Sequence, residues 1–100
     1  MARLAVHARR NGAAGFLLDV QADLLSGLNT RLVVPLLLER EAPTPAMRLN
    51  PVFEIAGERV VMVTQFAAAV HLSELGPAVA TLHDHHETVV AALDLLITGV

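Results

Sequence analysis

One hundred residues, no cysteine and a formal net charge of −3 point to one domain over residues 1–100 and exclude a disulfide framework and thiol chemistry. The seven basic side chains are all arginine, and the three aromatic ones are all phenylalanine. That is neither the basic stripe nor the stacking platform of a direct nucleic-acid binder. With 54% hydrophobic residues in a chain that buries only about two-thirds of its unfolded surface, surplus apolar surface predicts a homo-oligomer.

The longest uncharged apolar run, "VVMVTQFAAAVHL", falls short of the ~20 residues a spanning helix needs. The first twenty residues have no continuous apolar stretch between their arginines, so no secretory signal is expected and the expected location is cytoplasmic.

In chain order, "LAVHA" (Leu4 to Ala8) reads as a strand, "RRNGAAG" as a loop, and "FLLDVQ" (Phe16 to Gln21) as a second strand of a hairpin. "LLSGLNT" is a turn region. "RLVVPLLL" (Arg31 to Leu38) is nearly all apolar and predicts a strand buried on both faces, with Pro35 at a bulge or facing an edge. "EREAPTPAMRLNP" is a loop. "VFEI" and "RVVMVT" flank "AGE" and predict a tight hairpin with Gly57 at positive φ. "FAAAVHLSEL" fits a short strand or a helical turn, and Gly76–Pro77 interrupts it. Val89, Val90, Leu93, Leu96, Ile97 and Val100 then recur at steps of three and four, with acidic, small and hydroxyl side chains opposite. This predicts an amphipathic helix about 22 Å long, capped by Gly99.

"HDHH" at the helix start invites a metal reading. Helical ligand pairs sit four apart, whereas His83 and His86 are three apart and His85 points elsewhere. His83, His86 and Glu87 are the one triple the spacing allows, and no cysteine or second cluster completes a closed site. A helix start is favoured, with Thr81 or Asp84 capping and Asp84–Glu87 spaced as a capping box, so no metal and no cofactor is expected. Catalytic signatures are lacking too. Ser26 and Ser73 have no nucleophile-elbow setting, and Asp19 with Asp23 reads as a solvated strand end sooner than a carboxylate pair.

A resemblance runs through these elements. Asp19-Val20-Gln21 with Asp23, Arg31…Val33…Pro35-Leu36, Asn50-Pro51-Val52, Leu75-Gly76 and Gly99 stand in the order and at the separations of the CcdB toxins, which poison DNA gyrase and form plasmid-borne pairs with an antitoxin. The likeness covers practically the whole chain. It implies an SH3-like antiparallel barrel with a C-terminal helix, mainly β, assembled as a two-fold homodimer that binds the gyrase A subunit and holds gyrase on cleaved DNA. It implies a CcdA-like antitoxin as second partner, operon repression through that complex, DNA contact only through the antitoxin, and no catalysis. The gyrase-facing positions it implies are Leu24, Leu25, Asp94, Ile97, Thr98, Gly99 and Val100. Antitoxin contacts are implied at the loop after the first strand, where Arg9 and Arg10 lie.

The chain departs from the family at Thr98, where a tryptophan packs on a gyrase arginine, and at Asp94, where a neutral amide stands. Two outcomes follow: a toxin tuned to a different gyrase, or a protein that keeps fold, dimer and antitoxin binding without poisoning. RNA cleavage, as by MazF-like toxins of the same fold, wants a basic groove that this acidic chain argues against.

Overall fold

The computed structural model describes residues 3–100. Among them are seven strands: β1 (Ala5–Arg9), β2 (Phe16–Asp19), β3 (Thr30–Leu38), β4 (Val52–Ile55), β5 (Glu58–Met62), β6 (Ala68–His71) and β7 (Leu75–Thr81), followed by a helix, α1 (His86–Thr98). All pairings are antiparallel, and the order β4-β5-β3-β2-β1-β7 gives a curled half-barrel whose two ends do not meet. The fold is therefore mainly β with a C-terminal helix, as the resemblance implied.

The nine residues of β3 organise the sheet. One edge pairs with β2 (Leu17↔Pro35, Asp19↔Val33), while the other is shared by β5 at Leu36–Leu38 and β6 at Thr30–Val33. Pro35 sits where β5 hands over to β6. Its carbonyl accepts from Val63 N–H at 3.0 Å, and its missing donor falls at the changeover, where no ladder bond is lost.

Side chains alternate between two faces. One carries Val6, Leu18, Val34, Leu36, Val60 and Met62, packed with Leu82, Val89 and Ala92 from the helical side. The other carries a small cluster of Leu17, Val33 and Leu75 beside Val70, together with buried His7, Asp19 and Arg31.

Local conformation follows residue type at the turns. Ala56 and Gly57 both take positive φ (52° and 81°) between the paired Ile55 and Glu58, the primed geometry that matches strand twist. The first strand starts one residue later than its sequence pattern predicts, because Leu4 is left-handed (φ 67°). Its N–H donates to Asp19 O at 2.6 Å and its carbonyl accepts from Leu82 N–H at 2.8 Å. The 68–74 stretch resolves into both options, β6 and then a 3-10 turn at Leu72–Glu74.

Two sequence expectations are corrected. Gly76–Pro77 does not interrupt the chain but lies inside β7. The strand ends the sheet, and its register with β1 shifts between His7↔Ala78 and Arg9↔Leu75, so proline's missing donor is tolerated there. The helix start is not capped by an Asp84–Glu87 box: Thr81 Oγ1 accepts from His83 N–H at 3.1 Å, a 3-10 turn spans His83–His85, and α1 follows without a side-chain cap. The apolar stripe of α1 is buried over only part of its length. Val89 and Ala92 are buried and Leu93 packs at the margin of the core, whereas Leu96, Ile97 and Val100 are exposed, because the sheet that covers the first turns does not extend under the last.

Gly15 separates packing from backbone strain. It has φ +86°, and a Cβ there would stand 2.6 Å from Leu36 O, whereas Gly12 (φ +76°) faces open space. Gly12→Ala should lower stability by ~1–2 kcal/mol from the left-handed backbone alone. Gly15→Ala should lose a further ~1–3 kcal/mol to overpacking, read as the difference between their urea midpoints.

Candidate functional site

Chemistry-bearing side chains gather in three places. The first is the 22–30 loop between β2 and β3. Its 3-10 turn, Asp23–Leu25, holds Leu24 with 92% of its surface exposed, and Leu25 and Leu28 are exposed as well. Behind the loop lies a buried pair: Arg31 Nε stands 3.6 Å from Asp19 Oδ2, the two side chains only 4% and 2% exposed. The Arg31 guanidinium donates to the carbonyls of Ser26 (2.9 Å), Leu28 (3.0 Å) and Thr30 (2.9 Å). Asp19 Oδ1 accepts from Gln21 N–H at 3.0 Å. The Gln21 amide donates to Leu25 O and Thr30 O, both at 3.2 Å, and accepts from Leu32 N–H at 3.0 Å.

Asp19 is therefore not a solvated strand end. Burial pushes its carboxyl above the ordinary value of 3.8; the Gln21 N–H bond and the charges of Arg31 and His7 pull it down without offsetting that, and Asp23 adds a small upward push. Asp23 forms no carboxylate pair with it as a working unit, since Asp23 is exposed and accepts from Arg3 N–H at 2.8 Å. Nearby, His7 Nδ1 donates to Gly76 O at 3.0 Å, and its buried Nε2 has no partner among the described residues.

The second place is the end of α1. Gly99 is left-handed (φ 80°), and its N–H returns to Leu95 O at 3.0 Å, closing the helix as the sequence predicts. Thr98 Oγ1 donates to Asp94 O at 2.7 Å, so its hydroxyl is engaged within the helix. Asp94, Ile97, Thr98 and Val100 are all exposed, Ile97 at 73% and Val100 at 77%. Arg48 donates to Val100 O at 3.3 Å. Within one chain the two apolar groups lie at opposite ends of α1: Asp23 lines a recess with His83 and His86 at its start, and thirteen residues at 1.5 Å each put the Gly99 end about 20 Å away.

The third is a groove of about 410 Å³ on the sheet face turned away from α1. Leu17, Val33, Pro35, Phe66 and Val70 floor it, and Arg9, Arg10 and Glu74 stand among its walls. Arg10 is anchored there, its Nε and Nη2 donating to Leu75 O at 3.3 and 3.0 Å.

The histidines do not form a fourth site. Among the described residues no three His, Asp or Glu side chains stand close enough to share an ion, so His83, His86 and Glu87 are not assembled as the spacing allowed. His85 instead lies 5.1 Å from Phe53, ring to ring, at 56°.

The sequence reading gave Gln21 and Arg31 no role and missed the groove. An arginine and an aspartate set within "RLVVPLLL" and "FLLDV" were the available sign, since charges inside two-sided apolar strands are buried only when paired.

The model of one protein family, the CcdB protein, matches residues 3–99. The chain belongs to the CcdB family. Membership makes it a member of a group of toxin–antitoxin toxins that act on gyrase by binding it. Among the described residues no helix is long and apolar enough to cross a membrane.

Because its carboxyl is raised, Asp19 holds its proton more tightly in the folded chain than in the unfolded one. Its contribution to stability is therefore fully present below 3.8 and is lost as pH rises through the raised folded value. Asp19→Asn should remove that falling component, so the parent-minus-variant difference in urea midpoint should decrease from about pH 3 toward neutrality.

Proposed function

We propose that this chain is the toxin of a type II toxin–antitoxin pair, one domain over residues 1–100, acting as a cytoplasmic homodimer that binds the gyrase A subunit and traps the gyrase–DNA cleavage complex. Leu24, Leu25, Asp94, Ile97, Thr98, Gly99 and Val100 form the gyrase-facing surface. The observation that carries this reading is that Leu24, Ile97 and Val100 are large apolar side chains among the most exposed in the protein, held on a hydrogen-bonded turn and a capped helix end. Such rigid apolar projections suit a hot spot. A second copy related by a two-fold axis presents each of them twice, so every favourable or missing interaction with a symmetric target is doubled.

A CcdA-like antitoxin is the second partner. The apolar groove beside Arg9 and Arg10 suits an extended or helical segment carrying aliphatic and acidic side chains. Contact with DNA, and repression of the operon, come through the antitoxin. No catalytic residue, metal or cofactor enters the scheme.

One observation favours a second reading, in which gyrase poisoning is lost while antitoxin binding remains. Thr98 stands at the tryptophan position with its hydroxyl proton bonded to Asp94 O, leaving a methyl and an acceptor oxygen, but no aromatic face, to offer a partner.

Expression without antitoxin should arrest growth and accumulate gyrase–DNA cleavage complexes, and single-stranded RNA incubated with the purified protein should stay intact. Thr98→Trp should strengthen gyrase binding by ~1–4 kcal/mol over two subunits, roughly five- to thousand-fold, if the indole regains a cation–π interaction. Normal growth and no gyrase affinity from a folded dimer that still binds antitoxin would select the second reading. Sequence-specific RNA cuts would overturn both.

A further inference from the structure

Residues 22 to 30 are all exposed, so apolar burial does not hold this loop in place. Its own backbone supplies three short-range bonds, from the N–H groups of Leu25, Ser26 and Leu28 to Ala22 O, Asp23 O and Leu25 O. Its ends are also tied elsewhere, by Leu72 N–H to Asn29 O at 3.0 Å, Arg3 N–H to Asp23 Oδ1 at 2.8 Å and the pairing of Thr30 with His71. The ties of its middle come from the side chains of Gln21 and Arg31. Carbonyls of Leu25, Ser26, Leu28 and Thr30 turn inward to the Gln21 amide and the Arg31 guanidinium. With those carbonyls turned in, Leu24, Leu25 and Leu28 are left outside. Asp19 completes the arrangement from below, set against Arg31 and bonded to Gln21 N–H.

We infer that Asp19, Gln21 and Arg31 form a polar clamp that pre-sets the 22–30 loop for binding, making Gln21 and Arg31 positioning residues for the contact made by Leu24 and Leu25. Without the clamp, the stretch around Leu24 to Leu28 would be held only by its own short backbone bonds and its tied ends, and more of its ordering would fall on binding, which would weaken the complex. The clamp places the charges and amides on the protected side of the loop and leaves the partner an apolar surface already in shape. Arg31 is well suited to this, since a planar guanidinium offers five N–H donors in a fixed fork, against the three rotatable donors of an ammonium. The inference rests on the gyrase reading above for the identity of the partner, but not for the ordering of the loop.

Arg31 is buried beside Asp19, so its variants threaten the fold. Gln21 is half-buried at the margin and gives the cleaner test. In Gln21→Ala, the amides of Leu25, Ser26 and Leu28 should exchange with solvent roughly tenfold faster, and affinity for the purified gyrase A subunit should fall roughly tenfold, because the loop must now be ordered on binding. The global unfolding midpoint should stay near the parent's. Ala22 already has φ −62°, the value proline imposes, and its carbonyl bond to Leu25 N–H survives substitution. Ala22→Pro in the Gln21→Ala background should therefore recover most of the lost affinity without restoring any hydrogen bond. A merely structural glutamine would not be rescued in this way.

Unchanged exchange in Gln21→Ala overturns the clamp. Faster exchange with undiminished gyrase affinity, in a protein whose Leu24→Ala variant binds gyrase less well, overturns its positioning role. A parent that does not bind gyrase at all overturns the gyrase reading instead, and the exchange rates still decide whether the clamp orders the loop.

Discussion

Arg31 carries a positive charge into the sheet with only 4% of its side chain exposed, and much of the surrounding structure is arranged to accommodate it. A charge in that position needs a counter-charge and hydrogen-bond acceptors, or its desolvation would outweigh what folding gains there. Asp19 supplies the first and the carbonyls of Ser26, Leu28 and Thr30 the second. Satisfying the arginine therefore fixes the path of the chain between β2 and β3. That path in turn decides which leucines face solvent. The shape of that surface feature follows in large part from one buried side chain and its partners.

The same sheet assigns different work to its two faces. The face under α1 is a conventional apolar core built from alternate residues of β1, β2, β3 and β5. The opposite face is mixed: a small aliphatic cluster, the buried polar residues, and an open groove with arginines among its walls. A helix that leaves the sheet after Leu93 adds Ile97 and Val100 to the exposed apolar surface. An apolar surface of this kind is a liability for a lone chain and an advantage for one that lives in contact with others. The exposed leucines of the 22–30 stretch, the helix end and the groove are surfaces suited to recognition.

Much of the fold was legible in the sequence because it depends on period and turn chemistry. The two-sided apolar run of β3, the hairpin at Ala56–Gly57 and the Gly99 cap are local patterns with local causes. The failures share a different cause. Period shows which positions of α1 align, but not how far the sheet beneath it extends, so it left open where along the stripe burial stops. Gly76 and Pro77 break most strands, and only the position of β7 at the end of the sheet, with its shifted register, makes them acceptable. Asp19 looked solvated because its partner Arg31 is twelve residues away and its burial is decided by the strand pairing. The exposed positions of the candidate site were visible only through family likeness; the clamp behind them required distances.

The account is tested most directly by the footprint of the gyrase A subunit on this protein, read as amide exchange along the chain with and without gyrase. Protection of 22–30 together with the 94–100 end of the helix, in a dimer, is the predicted result. Protection confined to the groove around Arg9 and Arg10, or none anywhere at concentrations where the folded dimer is intact, would contradict it.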